Sequence, residues 1–529
     1  MKPFRAHHIA TIRILLAAVL VVAACVTAII PFDGTAEGSE QTVAAATKQN
    51  ESVTVTLPSY YLNGMVFQRG KPIMVKGELH NIDYSSIDWD EFAVTLSKGD
   101  KHYSGKLMKT REAAFTARIP KAPASCRPYT LKLSYQDRTL TTLNKVYVGD
   151  VFVAAGQSNM ELNYKQYYEP FSADKDLAGS LHGTFTHKDL PETIDDANVH
   201  FIVARNESKT SQFPVAQENQ TSWTDATKTN SQRLSYLAQF FARELRESSP
   251  NVPIGIIQTA WGGTLINRHI KGGDIYASHI ATLQGYHVAG VLWYQGCNDA
   301  ITNADALAYG SRFTALINQY RKVFDDEELP FLYVQLARWP GYQYTQIVRQ
   351  AQLSALDNPN LNNTDNVGMT VSIDTDKGTS ATIHPLGKEI LAKRMADQWK
   401  AMRGKKTVPS GPIGASASRS KSDGSIIVSF KQGTAQGLQS MKPDYSLRAS
   451  ASKVASPTDT PLDGFEVADR SGVFSAASAR IDGDHLVITS DKVDNISQVR
   501  YLWQGNPTSS SLLYNKQGLP ASPFIATVR

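Results

Sequence analysis

Two rhythms of hydrophobic spacing divide the chain. From about Ser52 to Asn144, stretches such as "VFQRGKPIMVKGEL" and "TLKLSYQ" alternate apolar and polar residues, with Gly and Pro between them. A period of two is the signature of strands with one buried face, so this region is expected to be a small antiparallel β domain. A different texture then begins. Val146–Ala155, Pro253–Ala260, Val288–Tyr294, Pro330–Leu336 and Val367–Ile373 are continuous apolar runs of strand length. Helical spacing separates them: Leu234, Leu237, Phe241 and Leu245; Leu307, Phe313, Leu316, Ile317 and Tyr320; Ile347, Ala351 and Ala355. Strands apolar on both sides, alternating with amphipathic helices, predict a parallel sheet covered on both faces. A last helix from Leu386 to Met402 closes that domain. After the linker "GKKTVPSGPIG", the segments "SIIVSFK", "GFEVAD", "HLVITS" and "QVRYLWQ" read as short strands of a β-sandwich. The expected division is therefore 1–50, 51–145, 146–405 and 406–529, an α/β domain flanked by two β domains.

The first of these parts carries an address. Lys2, Arg5 and Arg13 precede an apolar run from Ile14 to Ile30, and small polar residues follow from Asp33 to Gln49. This order of basic, apolar and polar regions predicts export, either by a cleaved signal or on an N-terminal anchor. Val22-Ala23-Ala24-Cys25 also resembles a lipoprotein cleavage site, although apolar residues continue beyond it. The expected location is extracellular or cell-surface, with membrane contact only through that segment.

Composition removes several classes of function. Hydrophobic residues at 42% and charged residues at 19% are globular proportions. A net charge of +5 over 529 residues, without a basic run interleaved with aromatics, argues against nucleic acid. The three cysteines, Cys25, Cys126 and Cys297, supply neither a disulfide scaffold nor a zinc motif, so a structural metal is not expected, and the reaction read below needs no metal or organic cofactor.

Chemistry gathers where the predicted strands stop. In open α/β sheets the ligand crevice lies outside the carboxyl ends of the strands. The first strand ends in Gly156-Gln157-Ser158-Asn159, the next in Trp261-Gly262-Gly263-Thr264, and the third in Gln295-Gly296-Cys297-Asn298-Asp299. The strand at Val367 ends in Asp374-Thr375-Asp376, with Ile383-His384-Pro385 shortly after. A serine hydroxyl is a poor nucleophile until a base removes its proton, and histidine is the base suited to neutral pH. Ser158 is therefore the candidate nucleophile and His384 the candidate general base. Attack on an ester leaves negative charge on the former carbonyl oxygen, and losing one donor to it costs roughly 3–4 kcal/mol. The candidate donors are the N–H of Ser158, an N–H of Gly262 or Gly263, and the side-chain amide of Asn298. Asp374, directly after its strand, is favoured to orient the imidazole over Asp376 or a backbone carbonyl. The position three residues before His384, a common place for that acid, is Ala381.

Each piece alone has a plainer reading. Gly-Gln-Ser-Asn after a strand is usually a turn, the paired glycines a tight turn, Asn298 a helix cap, and His384-Pro385 a helix entry. Cys297 fits a small packed side chain. The turn reading yields only because four strand ends agree.

Together these residues resemble a known family. "GDVFVAAGQSNMEL", "PIGIIQTAWGGT", "GVLWYQGCNDA" and "IHPLGKEILAKRMA" are similar to the motifs of the sialate O-acetylesterase family of SGNH hydrolases, and "MVFQRGKPIMVKGE", "VRYLWQGNP" and "YNKQGLPASPF" to its flanking regions. The resemblance implies a flavodoxin-like SGNH domain, metal-free ester hydrolysis and O-acetylated sugars as substrates. It makes Ser158 the nucleophile, His384 the base, and Gly262, Gly263 and Asn298 the oxyanion region. Two departures stand out. The family loop usually reads Gln-Gly-Glu-Ser-Asn, whereas Cys297 replaces the glutamate and Asp299 follows the asparagine, so a slip of register would bring Asp299 to the site. After the glycines, Leu265-Ile266-Asn267-Arg268 replaces the usual Pro-Ile-Glu. That puts a cation near the site, where Arg268 could pair with a sugar carboxylate. Gln157 and Gln295 are further candidates for substrate contact. The reading is an exported carbohydrate O-acetylesterase, with an esterase for acetylxylan or another polysaccharide as the enzymatic rival. A non-catalytic glycan-binding protein on an esterase scaffold is the rival of another class.

Overall fold

One strand joins the two rhythms. In the computed structural model, which describes residues 52–529 apart from 86, 169–189, 210, 218, 362, 363 and 381, strand β1 runs from Arg138 to Gly156. Its first half pairs antiparallel with Ser125–Tyr135 of the N-terminal β region. Its second half enters a parallel sheet, with β3 (Ile254–Gln258) on one side and β4 (Gly290–Tyr294) on the other. The boundary expected at 145 thus falls inside a strand, next to Lys145 with φ 53°. Texture changes there because burial changes. Up to Lys145 only Leu143 is buried, while every residue from Val148 to Gly156 is. Residues 52–529 form one compact unit, and the export segment expected at 1–50 lies outside the described residues.

The parallel sheet continues through β5 (Phe331–Val334) and β6 (Val367–Thr370) beyond β4, and through β2 (Asp196–Val203) beyond β3. The order β2-β3-β1-β4-β5-β6 changes direction at β1, and Thr224–Ala226 pairs antiparallel on the outer edge of β2. Strand β2 was not expected. Its apolar stretch is brief and contains His200, which is buried, bonds Asp225 at 2.8 Å and stacks on Tyr147.

The helices fall where the 3.6-residue spacing predicts: α2 (Tyr236–Ser248), α3 (Asn303–Val323), α4 (Thr345–Ser354) and α5 (Lys388–Arg403), after a short α1 (Ser158–Glu161). Ser235 caps α2 and Thr302 caps α3, each accepting from a first-turn backbone N–H. Phe152 of β1 meets Phe241 of α2 and Trp399 of α5, with ring centroids 4.9 and 5.2 Å away. Trp293 of β4 is in register with Ala155 and so points to the opposite face, where it meets Phe313 and Tyr320 of α3. Helices thus meet these two strands from opposite sides, which explains why their residues are mostly apolar. Truncating the fully buried Phe152 to alanine would cost about 3–5 kcal/mol.

The C-terminal strands are clamped onto the carboxyl end of this sheet. Fully buried Arg349 donates to the carbonyls of Leu336 and Ala337 at 2.7 and 2.6 Å, and to those of Gln504 and Gly505 at 2.6 and 2.9 Å. Arg338 donates to Pro507 O at 3.0 Å. The C-terminal region is thus part of the wall around the strand ends.

Candidate active site

The crevice of an open sheet opens where the strand order changes direction, which here is the end of β1. Gly156 makes the exit with φ +131°, and a Cβ there would lie 2.4 Å from Tyr294 O, so only glycine passes. Two residues later Ser158 opens α1, and its Oγ lies 2.8 Å from His384 Nε2. The pair predicted across 226 residues of sequence is in hydrogen-bond contact.

His384 is held by its neighbours along the chain. Asn159 Nδ2 donates to Ile383 O at 2.9 Å, and Leu386 N donates to Thr379 Oγ1 at 3.1 Å. Gly387 lets the turn pass Thr375 O, which would stand 1.8 Å from a Cβ. Burial, aided by the Lys388 cation, pushes the imidazole down to about 3. The neutral ring is the form able to accept the serine proton.

The orienting acid is corrected. Asp374 is fully buried, but Arg394 donates to its Oδ1 at 2.8 Å and to its Oδ2 at 2.6 Å, and Tyr514 Oη donates to Oδ2 at 2.9 Å. Asp376 is engaged by Arg338 Nε at 2.8 Å and Gly378 N at 2.8 Å, and burial keeps its carboxyl above the usual range. Both aspartates serve cations at the C-terminal wall. Among the described residues no carboxylate is hydrogen-bonded to His384.

Asn298, not Asp299, faces the serine side. Asn298 Oδ1 accepts from Gln157 Nε2 at 3.0 Å, which leaves the Nδ2 end of the amide for another acceptor. Asp299 is buried, accepts from Ile266 N at 3.1 Å and from Gln295 Nε2 at 2.5 Å, and burial raises its carboxyl to about 6. Gln157 and Gln295, expected as substrate contacts, are buried and bonded to the surrounding loops. Gln157 accepts from Gly296 N and Cys297 N at 3.0 Å each, and fully buried Gln295 donates its Nε2 to Asp299 Oδ2 and Thr264 O. Arg268 does not offer a free charge either. Asp274 takes its Nε and Nη2 at 2.9 and 2.7 Å, and the guanidinium lies 4.5 Å above Trp261.

Sequence reasoning missed two charged residues beside the nucleophile. Lys388 is buried, donates to Asn159 Oδ1 at 2.5 Å, lies over the Tyr294 ring, and is lowered to about 7 by burial. Glu161, three residues after Ser158, accepts from Gly262 N at 2.6 Å and Asn206 Nδ2 at 2.9 Å, and burial raises its carboxyl. Both stand inside quoted motifs, "NMEL" and "HPLGKEI", where their charge among apolar neighbours was the available signal. Cys297 is packed as expected. Asn159 Nδ2 is 3.8 Å from its Sγ, and burial pushes the thiol up to about 11, too high for a nucleophile. Among the described residues no group of three or more His, Cys, Asp or Glu could hold a metal ion.

A hydroxyl paired with a neutral buried imidazole, at a sheet end carrying amide donors, is the equipment of a serine-dependent ester hydrolase. Known proteins agree. Residues 148–397 match the family of carbohydrate esterases described as sialic acid-specific acetylesterases. Mouse sialate O-acetylesterase is 23% identical over 521 residues, covering 82% of this chain and 88% of the mouse protein. The human sialate O-acetylesterase is also 23% identical, covering 73% of this chain and 76% of its own. A carbohydrate acetylesterase from Xanthomonas citri superposes with a TM-score of 0.69 at 27% identity, covering 89% of this chain and 99% of that one. The resemblance to the sialate O-acetylesterase family read from the motifs therefore holds, and the protein is a carboxylic ester hydrolase.

Proposed function

We propose that the protein is an exported esterase that removes O-acetyl groups from sugars, with O-acetylated sialic acid as its foremost substrate. The observation that carries the chemistry is the 2.8 Å contact between Ser158 Oγ and His384 Nε2 at the end of β1. His384 takes the hydroxyl proton as Oγ attacks the acetyl carbonyl. The tetrahedral oxyanion is met by backbone N–H and by Asn298 Nδ2, which Gln157 aims. The imidazolium returns its proton to the sugar oxygen, and the C–O bond to the sugar breaks. A water deprotonated by the same imidazole then attacks acetyl-Ser158, releasing acetate and restoring the hydroxyl. No triad carboxylate is required in this scheme. The imidazole is aimed by Asn159 on Ile383 O and by the packed turn that follows. The reading extends to a three-layer, flavodoxin-like SGNH domain, and to export, which rests on the N-terminal sequence pattern alone.

The choice of sugar has a second reading on one observation. With Arg268 committed to Asp274, the specific argument for an acidic sugar weakens, and acetylxylan or another neutral acetylated polysaccharide competes. Acetate release from O-acetylated sialic acid and from acetylated xylan, measured side by side, tests this. Turnover of the sialic acid ester in preference supports the proposal, and turnover of xylan alone replaces it. Glycan binding without acetate release from either would favour the non-catalytic alternative, against which the assembled Ser158–His384 pair argues.

A further inference from the structure

The paired glycines are glycine for different reasons. Gly263 has φ +69° and nothing within 4 Å of where a Cβ would stand, so its demand is conformational. Gly262 carries no such φ. A Cβ on Gly262 would lie 2.7 Å from Glu161 Oε2 and 3.4 Å from Ser158 Cβ. Its place is kept clear for a carboxylate. Glu161 sits on the same short helix as the nucleophile, and it joins three strand ends: its own after β1, Gly262 after β3 at 2.6 Å, and Asn206 after β2 at 2.9 Å. An oxyanion that sought Gly262 N–H would find that donor taken and a like charge beside it.

We infer that Glu161 is a positioning residue of the acetyl-transfer site: its carboxylate pins the Gly262 turn against Ser158 and takes Gly262 N–H, so the oxyanion is left to the other donors, Ser158 N–H and Asn298 Nδ2 among them. Ser158 N–H fits this role because it opens a helix and so has no helical carbonyl to bond. Asn298 Nδ2 fits because Gln157 has claimed the other end of that amide. The Glu161 carboxylate is bonded to Gly262 N and Asn206 Nδ2, while Ser158 Oγ is bonded to His384. Glu161 acts through the turn, so its loss is felt in the transition state and not in substrate affinity. The inference rests on the esterase reading above.

The test is a double-mutant cycle on full-length protein, with kcat and KM measured on an aryl acetate. Glu161→Ala is expected to lower kcat about 10- to 100-fold, the scale of a misplaced site, with KM within about twofold. Glu161→Gln keeps an acceptor for Gly262 N–H and should recover most of that loss. Gly262→Ala evicts the carboxylate, so it should match Glu161→Ala, and the double variant should be no slower than either single one. Should Gly262→Ala fail to fold, as seen by circular dichroism, the contrast between alanine and glutamine at 161 still decides. Unchanged kcat in Glu161→Ala, additive losses in the cycle, or a rise in kcat showing that the carboxylate had blocked a donor, would each overturn the inference. Wild-type protein that releases no acetate would instead sink the esterase reading itself.

Discussion

Asp374 and Arg394 form a two-point ion pair, 2.8 and 2.6 Å long, sealed inside the protein with Tyr514 of the C-terminal region on the same carboxylate. The aspartate best placed in the chain to orient a catalytic histidine is instead a joint between two parts of the fold.

That assignment separates stability from chemistry. Asp374→Asn leaves the Arg394 guanidinium buried without its counter-charge, and breaking such a pair destabilises by about 3–5 kcal/mol. Urea unfolding should reveal that loss. The folded fraction should keep kcat within about tenfold, whereas an orienting acid replaced by its amide would drop kcat about ten-thousandfold.

The pH profile follows from His384. Burial and Lys388 depress the imidazole pKa to about 3, so the neutral, proton-accepting form persists as pH falls. Activity is lost only when the ring protonates, so the acid limb of kcat/KM should lie well below 6.5, the ordinary histidine value. Lys388, lowered to about 7, is charged throughout that acid range. Lys388→Met removes the opposing charge and should move the limb upward. A limb near 6.5 in wild type, unmoved by the variant, would contradict this electrostatic picture.

Gln157 separates scaffold from substrate contact. Its side chain holds Gly296 N, Cys297 N and Asn298 Oδ1, and little of it is exposed. Gln157→Ala should lower kcat about 100-fold by releasing the Asn298 donor, with little change in KM. A rise in KM at constant kcat would restore the substrate-contact role.

Arg268 is expected to be silent toward acidic ligands, since Asp274 already neutralises it. Arg268→Ala should leave inhibition by free sialic acid unchanged. Selective weakening of that inhibition, relative to a neutral sugar, would show a direct contact.

Much of this was legible before any coordinates. The runs at Val146, Pro253, Val288, Pro330 and Val367 are strands in which apolar residues dominate, and the few polar ones, such as Asp150, Gln258 and Gln335, are buried with hydrogen-bond partners. Ser158 and His384 could be paired because topology alone brings those strand ends together. The parts that were not legible depend on side-chain partners far away in sequence. Nothing near Asp374 announces that Arg394 and Tyr514 will claim it, and nothing in "QGCND" says that Gln157 will hold the loop. Strand β2 escaped notice because its core holds a histidine whose Nδ1 is paired with Asp225 on a neighbouring strand. The boundary expected at 145 follows a change of burial along β1, while the strand itself continues through it.

The central claim is that the hydroxyl at the end of β1 carries the acetyl group. Rapid quenching during turnover of an aryl acetate, followed by peptide mass spectrometry, reads this directly. The expected result is an acetyl adduct on the peptide containing Ser158, absent from Ser158→Ala, which should release no acetate while unfolding like wild type. Acetate release that persists in Ser158→Ala, or an adduct on another residue, would contradict the account.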